Sequence, residues 1–114
     1  MADQINKVDL RHSLDRLYDV IASRKHDSPE DSYTAQLFAN APEKPARKLC
    51  EEATEVLIEA LKHNKVKLTA ESADLLYHLL VVWAAADINP QDVWRELDRR
   101  QGTSGLVEKQ SRQL

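Results

Sequence analysis

The chain has 114 residues, of which 42% are hydrophobic and 31% charged, and its formal net charge is -3 at pH 7. This length indicates one domain, and a negative charge with a pI near 5.8 argues against nucleic acid or an anionic membrane as a partner. Two glycines and four prolines are too few for the turns of a sandwich or barrel. The composition therefore favours an all-α protein.

Helical spacing of apolar residues divides the single domain, 1–114, into its elements. The predicted helices cover 5–25, 33–41, 42–63, 70–86 and 90–100. Thr69 is the expected N-cap of the fourth of these helices, and Asn89, followed by Pro90, is that of the last. Residues 103–114 are polar and are expected to form a tail.

Nothing in the sequence predicts export or membrane insertion. The longest apolar run, 79–86, is far shorter than a bilayer span, and the first residues are too polar for a signal peptide. Cys50 is the single cysteine, so it has no partner for an internal disulfide, and we expect it to be a packed apolar residue. We therefore expect a cytoplasmic protein.

Acidic residues gather on one side of the helix predicted over 42–63, opposite a broad apolar face. They are Glu51, Glu52, Glu55 and Glu59. On its own this arrangement fits a solvated helix face. However, it contains like-charge pairs at i,i+4, and each of these costs a few tenths of a kcal/mol. This helix alone leaves both interpretations open.

The helix predicted over 70–86 favours a binding site. Its part from 75 to 86 is apolar all round and must be buried on most sides. The ionisable groups of this helix, Glu71, Asp74 and His78, form one stripe, although Glu71 also suits a first helical turn. Buried carboxylates need a cation or several donors.

Two helices thus supply four carboxylates, in the patterns Glu52-x-x-Glu55 and Glu71-x-x-Asp74. Carboxylate oxygens are the ligands that Mg²⁺ prefers, and Mg²⁺ usually keeps positions for water and substrate phosphate. The two pairs face each other either in a staggered hairpin or across a subunit interface. The sequence therefore predicts a magnesium site.

E-x-x-E followed by E-x-x-D on the next helix resembles the metal motif of all-α nucleoside-triphosphate pyrophosphohydrolases. More specifically, the chain resembles the phosphoribosyl-ATP pyrophosphohydrolases of histidine biosynthesis. The matching blocks are "SYTAQL" (32–37), "PEKPARKLCEEATEVLIEAL" (42–61), "ESADLLYHLLV" (71–81) and "ELDRRQGTSGLVEKQSR" (96–112). The resemblance implies Mg²⁺-dependent hydrolysis of phosphoribosyl-ATP to phosphoribosyl-AMP and diphosphate.

The resemblance also implies roles for individual residues. Glu52, Glu55, Glu71 and Asp74 are the expected metal ligands, and Glu51, Glu52 and Glu55 the catalytic candidates. Glu51 is then either an additional ligand or the group that orients the attacking water. His78 is expected to support Asp74 one turn away.

Substrate phosphates need basic partners, and the candidates are Lys44, Lys48, Arg99, Arg100 and Lys109. Each has a plainer alternative: Lys48 pairs with Glu52, and the two arginines favour a helix C-terminus. Tyr33 either stacks on the adenine or packs, and for Tyr77 we expect packing.

A helix that is apolar all round in so short a chain predicts a homo-oligomer. The resemblance implies at least a dimer, in which two helical hairpins form a four-helix bundle. Two other functions remain open. One is a hydrolase of non-canonical nucleotides, and the other is a helical interaction module whose acids are a solvated face.

Overall fold

The structure, a computed structural model, describes residues 12–102 and 105–113. All regular structure in these ranges is helical, which confirms the all-α class. In chain order the helices are α1 Ser13–Ser23, α2 Tyr33–Ala39, α3 Glu43–Leu61, α4 Lys65–Ala85, α5 Pro90–Arg100 and α6 Gly105–Gln113. None of the helices within these ranges is both long and apolar enough to cross a bilayer.

Helix α1 is shorter than the helix predicted over 5–25. His12 has non-helical torsion angles (φ −59°, ψ 147°), and its Nδ1 accepts a hydrogen bond from the Leu14 backbone N at 3.1 Å. The helix therefore begins after His12, and it ends at Ser23. Residues 5–11 of the predicted helix lie outside the described residues.

The connection between α3 and α4 is shorter than predicted. His63 adopts a left-handed conformation (φ 57°) and reverses the chain, and Asn64 Oδ1 accepts from the Lys67 backbone N at 3.0 Å. Asn64 is thus the N-cap, and the prediction of Thr69 was wrong. The Thr69 hydroxyl lies inside the helix and donates to the Lys65 carbonyl at 2.8 Å. The first turn of α4 alternates Lys65 and Lys67 with Val66 and Leu68, which is not the apolar spacing of a helix.

This short turn sets the register of an antiparallel hairpin. Because only 62–64 separate α3 from α4, Glu52 precedes the turn by as many residues as Asp74 follows it. Glu71 lies one turn from Asp74 on the same side of α4. The acids of the two helices therefore come level with each other within a single chain.

The core lies where α1 and α2 pack against the second half of α4. Its buried side chains are Ile21, Leu37, Leu80, Val81 and Ala84. The Tyr18 hydroxyl of α1 donates to the Ile88 carbonyl at 2.8 Å, beyond the end of α4. Trp94 of α5 meets Trp83 edge to face at 5.6 Å and donates from Nε1 to Asp15 at 2.9 Å. These contacts hold α5 against α1 and α4.

One apolar side of the α3–α4 hairpin is not covered by the described residues of the chain. We call it the hairpin face; it consists of Ala46, Cys50, Ala53, Leu57 and Leu61 of α3 with Val66, Ala70, Ala73 and Leu76 of α4, all exposed. Leu61 is 72% exposed and Val66 81%. Cys50 is therefore not packed within the chain, contrary to our expectation.

The C-terminal elements confirm one prediction and correct another. Asn89 Oδ1 accepts from the Gln91 backbone N at 2.9 Å, so it caps α5 as predicted, with Pro90 at the first helical position. The segment predicted as a tail over 103–114 contains α6. Exposed Leu106 and Val107 lie on this helix.

Candidate metal and phosphate site

Three of the four predicted metal ligands come together at the middle of the hairpin. One carboxylate oxygen from each of Glu52, Glu71 and Asp74 lies within 4.8 Å of the other two. We call these residues the acid group. Glu52 belongs to α3 and the other two to α4, so the register of the hairpin creates the group. Glu52 and Glu71 are half-buried and Asp74 is exposed, which leaves one side of the group open.

The acid group fits a hard divalent cation. Mg²⁺ binds oxygen at 2.0–2.1 Å in octahedral geometry, so its ligand atoms lie roughly 3 to 4 Å apart. The spacing of up to 4.8 Å is close to that range, and small side-chain rotations would close the gap. Three carboxylates would occupy part of an octahedral shell and leave positions for water and substrate oxygens.

The electrostatics of the acid group also favour a cation. Burial raises the pKa of Glu71, and the neighbouring charges of Asp74, Glu52 and Glu55 raise it further. When it is protonated, Glu71 can donate a hydrogen bond to Glu52, and this raises the pKa of Glu71 further. The three carboxylates therefore repel one another, and a bound cation would relieve that repulsion.

Glu55 and Glu51 lie beside the acid group rather than in it. Glu55 is exposed, and its charge is close enough to act on Glu71. Lys48 Nζ pairs with Glu51 at 3.0 Å, and not with Glu52 as in the plainer alternative. The hydrogen bond from Lys48 lowers the pKa of Glu51, which therefore stays ionised.

Behind Asp74, α2 and α4 are joined by a polar network. His78 is 5% exposed, and its Nδ1 lies 2.8 Å from the Asp74 carbonyl oxygen. Since that oxygen only accepts, Nδ1 donates to it, and Nε2 lies 3.2 Å from the Tyr33 hydroxyl, from which it can accept. Thr34 and Tyr77 form a second hydroxyl pair. His78 thus supports the backbone of Asp74, not its carboxylate.

The amino-acid sequence is similar to those of known proteins. The profile of one family, described as phosphoribosyl-ATP pyrophosphohydrolase, matches residues 14–101. The chain belongs to the phosphoribosyl-ATP pyrophosphohydrolase family.

Three relatives illustrate the similarity, and each carries the name phosphoribosyl-ATP pyrophosphatase. The protein from Paramagnetospirillum magneticum is 56% identical over 87% of this chain and 91% of its own length. That from Paracoccus denitrificans is 56% identical over 87% and 92%, and that from Azospirillum brasilense 52% identical over 87% and 89%. The family resemblance predicted from the motifs is therefore confirmed.

In this member of the family, a basic cluster adjoins the acid group at the start of α3. Lys44, Arg47, Lys48 and Glu51 line an open cavity of about 210 Å³. Lys44 and Lys48 were predicted as phosphate ligands. Arg47 was missed, although its position three residues after Lys44 puts it on the same side of the helix.

The predicted basic residues of the C-terminal region have different surroundings. Arg99 and Arg100 both hydrogen-bond Glu96 of their own helix, and together they lower the pKa of Glu96 to about 2. They also lie in the last turn of α5, where cations suit the helix dipole. Lys109 is exposed on α6. The arginines thus lie where the plainer alternative puts them, and their contact with substrate stays a prediction.

Tyr33 stands between the polar network and the acid group. Its ring is 45% exposed and stacks on Tyr77 with centroids 6.4 Å apart. Burial raises the pKa of Tyr33, and the charges of Lys48 and Glu52 both act on its hydroxyl. The bond to His78 therefore holds the half-exposed ring at the edge of the site, and its stacking on adenine stays a prediction.

Proposed function

We propose that this chain hydrolyses phosphoribosyl-ATP to phosphoribosyl-AMP and diphosphate in histidine biosynthesis, with Mg²⁺ as cofactor. The observation that carries the proposal is the acid group, three carboxylates from two helices at metal-binding distance. Membership of the family and relatives named phosphoribosyl-ATP pyrophosphatase support the choice of substrate. A cytoplasmic location remains a prediction from the sequence.

In the proposed mechanism, Glu52, Glu71 and Asp74 would hold Mg²⁺. When bound, the ion would supply charge neutralisation at the phosphates and activation of the attacking water. Glu55 lies next to the acid group with its carboxylate exposed, so it is the first candidate for a fourth ligand. Glu51 stays ionised beside Lys48 and is suited to orient the water. Lys48 meanwhile offers a positive charge to the substrate phosphates.

We propose that the hairpin face is covered by a second copy of the chain. It forms a continuous apolar stripe on α3 and α4, and a monomer rarely leaves such a surface exposed. Two hairpins packed through it would form a four-helix bundle. The acid group does not lie on this stripe, so each copy would carry its own set of three carboxylates.

Diphosphate release from phosphoribosyl-ATP, with and without Mg²⁺, tests the proposed function. ATP and a set of deoxynucleoside triphosphates serve as comparison substrates. We expect Mg²⁺-dependent release from phosphoribosyl-ATP and loss of most activity in Glu52→Gln. Glu43→Gln removes an exposed acid of the same helix and should leave the rate unchanged. Preferential release from other nucleotides would favour a hydrolase of non-canonical nucleotides instead.

A further inference from the structure

The first two turns of α3 carry an unusual concentration of cations. Lys44, Arg47 and Lys48 lie there at i, i+3 and i+4. The helix dipole is positive at this end, so cations are disfavoured by a few tenths of a kcal/mol each. They also repel one another across one side of the helix. A cluster that costs helix stability in two ways calls for another explanation.

Two of the three cations form no close ion pair among the described residues. Lys48 pairs with Glu51 at 3.0 Å, whereas neither Lys44 nor Arg47 forms an ion pair within the described part of the chain. All three side chains line the same open cavity of about 210 Å³. The cavity therefore presents three positive charges and one negative charge, that of Glu51, and is suited to an anion.

The cavity is next to the acid group but separate from it. None of Glu52, Glu71 and Asp74 lines it; Glu51 is its one acidic wall. Lys44 precedes Glu52 by eight residues and Arg47 precedes it by five, which are about 12 Å and about 7.5 Å along a helix axis. An anion at Lys44 and Arg47 is thus displaced along α3 from a phosphate held through the acid group. Both fit the same molecule if that molecule carries more than one phosphate.

We propose that Lys44, Arg47 and Lys48 form a second phosphate subsite, and that Arg47 determines specificity for substrates carrying a phosphate at that distance. This inference rests on the proposed function for the identity of the substrate. Phosphoribosyl-ATP offers two such groups: the terminal phosphate of its triphosphate and the 5′-phosphate of its additional ribose. The guanidinium of Arg47 presents several N–H donors in a plane, which matches phosphate oxygens better than an ammonium does.

Calorimetric titration with inorganic diphosphate and with ribose 5-phosphate tests the subsite without requiring turnover. In Arg47→Ala we expect about tenfold weaker binding of one of the two ligands, the loss of a charge-assisted hydrogen bond. Arg47→Lys should recover part of the lost affinity, because the positive charge remains. Recovery should be incomplete because the planar set of N–H donors is lost. Lys67→Ala, an exposed lysine in the first turn of α4, is the matched control and should bind as the wild type does.

The two ligands identify the source of the phosphate. A loss for diphosphate alone assigns the subsite to the leaving group, and a loss for ribose 5-phosphate alone assigns it to the additional ribose. Unchanged binding of both ligands in Arg47→Ala would overturn the subsite. Weaker binding in that variant together with no turnover of phosphoribosyl-ATP by the wild type would refute the proposed function and leave the subsite standing.

Discussion

Magnesium should stabilise the folded chain through the acid group, and Asp74→Asn should remove most of that effect. A ligand that binds only the folded state adds about 2.7 kcal/mol of stability at a concentration one hundred times its Kd. For a domain of this size, this corresponds to roughly 10 °C in Tm. Asn in place of Asp74 keeps the shape of the side chain but removes one of the three charges that hold the ion.

Without metal, the same substitution should act in the opposite direction. Asp74 raises the pKa of Glu71 because the two carboxylates repel each other. Asp74→Asn relieves that repulsion, so in EDTA the variant should melt at a higher temperature than the wild type. The order of the two melting temperatures should therefore reverse between EDTA and Mg²⁺.

Thermal unfolding followed by circular dichroism, in EDTA and across a series of MgCl₂ concentrations, measures both effects. Glu43→Gln, which loses an exposed acid at the start of the same hairpin, should keep the wild-type response to Mg²⁺. A residue with only a structural role would lower the melting temperature in both conditions. The reasoning is refuted if Mg²⁺ leaves the wild-type Tm unchanged or if Asp74→Asn retains the full increase.

Three further predictions concern other parts of the molecule. Leu61→Glu puts a charge on the hairpin face, where the side chain is 72% exposed, and should convert a dimer to monomers in sedimentation velocity; an unchanged sedimentation coefficient would contradict the proposed interface. Tyr33→Phe leaves Nε2 of buried His78 without its donor. The free energy of unfolding measured in urea should fall by about 1 kcal/mol. No loss would mean that water replaces the hydroxyl. The pKa of Glu96 is lowered from its usual 4.5 to about 2, so its contribution to stability is present above pH 4.5 and is lost as the pH falls towards 2. Glu96→Gln should flatten the stability profile in that window, and an unchanged acid slope would show that the arginine pairs do not persist in solution.

The local patterns predicted the elements better than their junctions. The spacing of acids on two helices was sufficient to select Glu52, Glu71 and Asp74, because residues three apart on a helix share a face. Whether they meet depends on the turn between the helices. The left-handed conformation of His63 and the cap at Asn64 set that turn. Neither feature is visible in the spacing of apolar residues. Because the N-cap was predicted at Thr69, the predicted start of α4 was more than one turn too late.

Helical periodicity also does not say which partner covers an apolar residue. The apolar side predicted for α3 is divided in the structure: Leu49 and Val56 are half-buried within the chain, whereas Ala53 and Leu57 lie on the hairpin face. Apolar residues that form a single stripe in the sequence thus belong to two surfaces in the structure. One surface packs inside the chain, and we assign the other to contact with the second copy. Helical periodicity likewise does not show which one of the grouped acids is buried.

That acid is Glu59, which the sequence groups with a solvated face and the structure buries. It is 7% exposed, and its Oε1 has no hydrogen-bond partner within the described residues. It lies two turns after Glu52 on the same side of α3, beyond the reach of the acid group. A buried acceptor without a donor costs about 1–3 kcal/mol. Because Glu59 lies outside the acid group, a role as a metal ligand does not explain this cost.

Replacing Glu59 by leucine should remove the cost while keeping a side chain of similar size. We expect Glu59→Leu to raise the free energy of unfolding by about 1–3 kcal/mol, seen as a higher urea midpoint at an unchanged slope. Glu55→Leu, one turn earlier and exposed, is the control and should change stability by less than about 0.5 kcal/mol. If Glu59→Leu instead destabilises the protein, and does so only at concentrations where the dimer forms, then the dimer requires the carboxylate. In that case its burial would be a feature of the dimer and not a defect of the single chain.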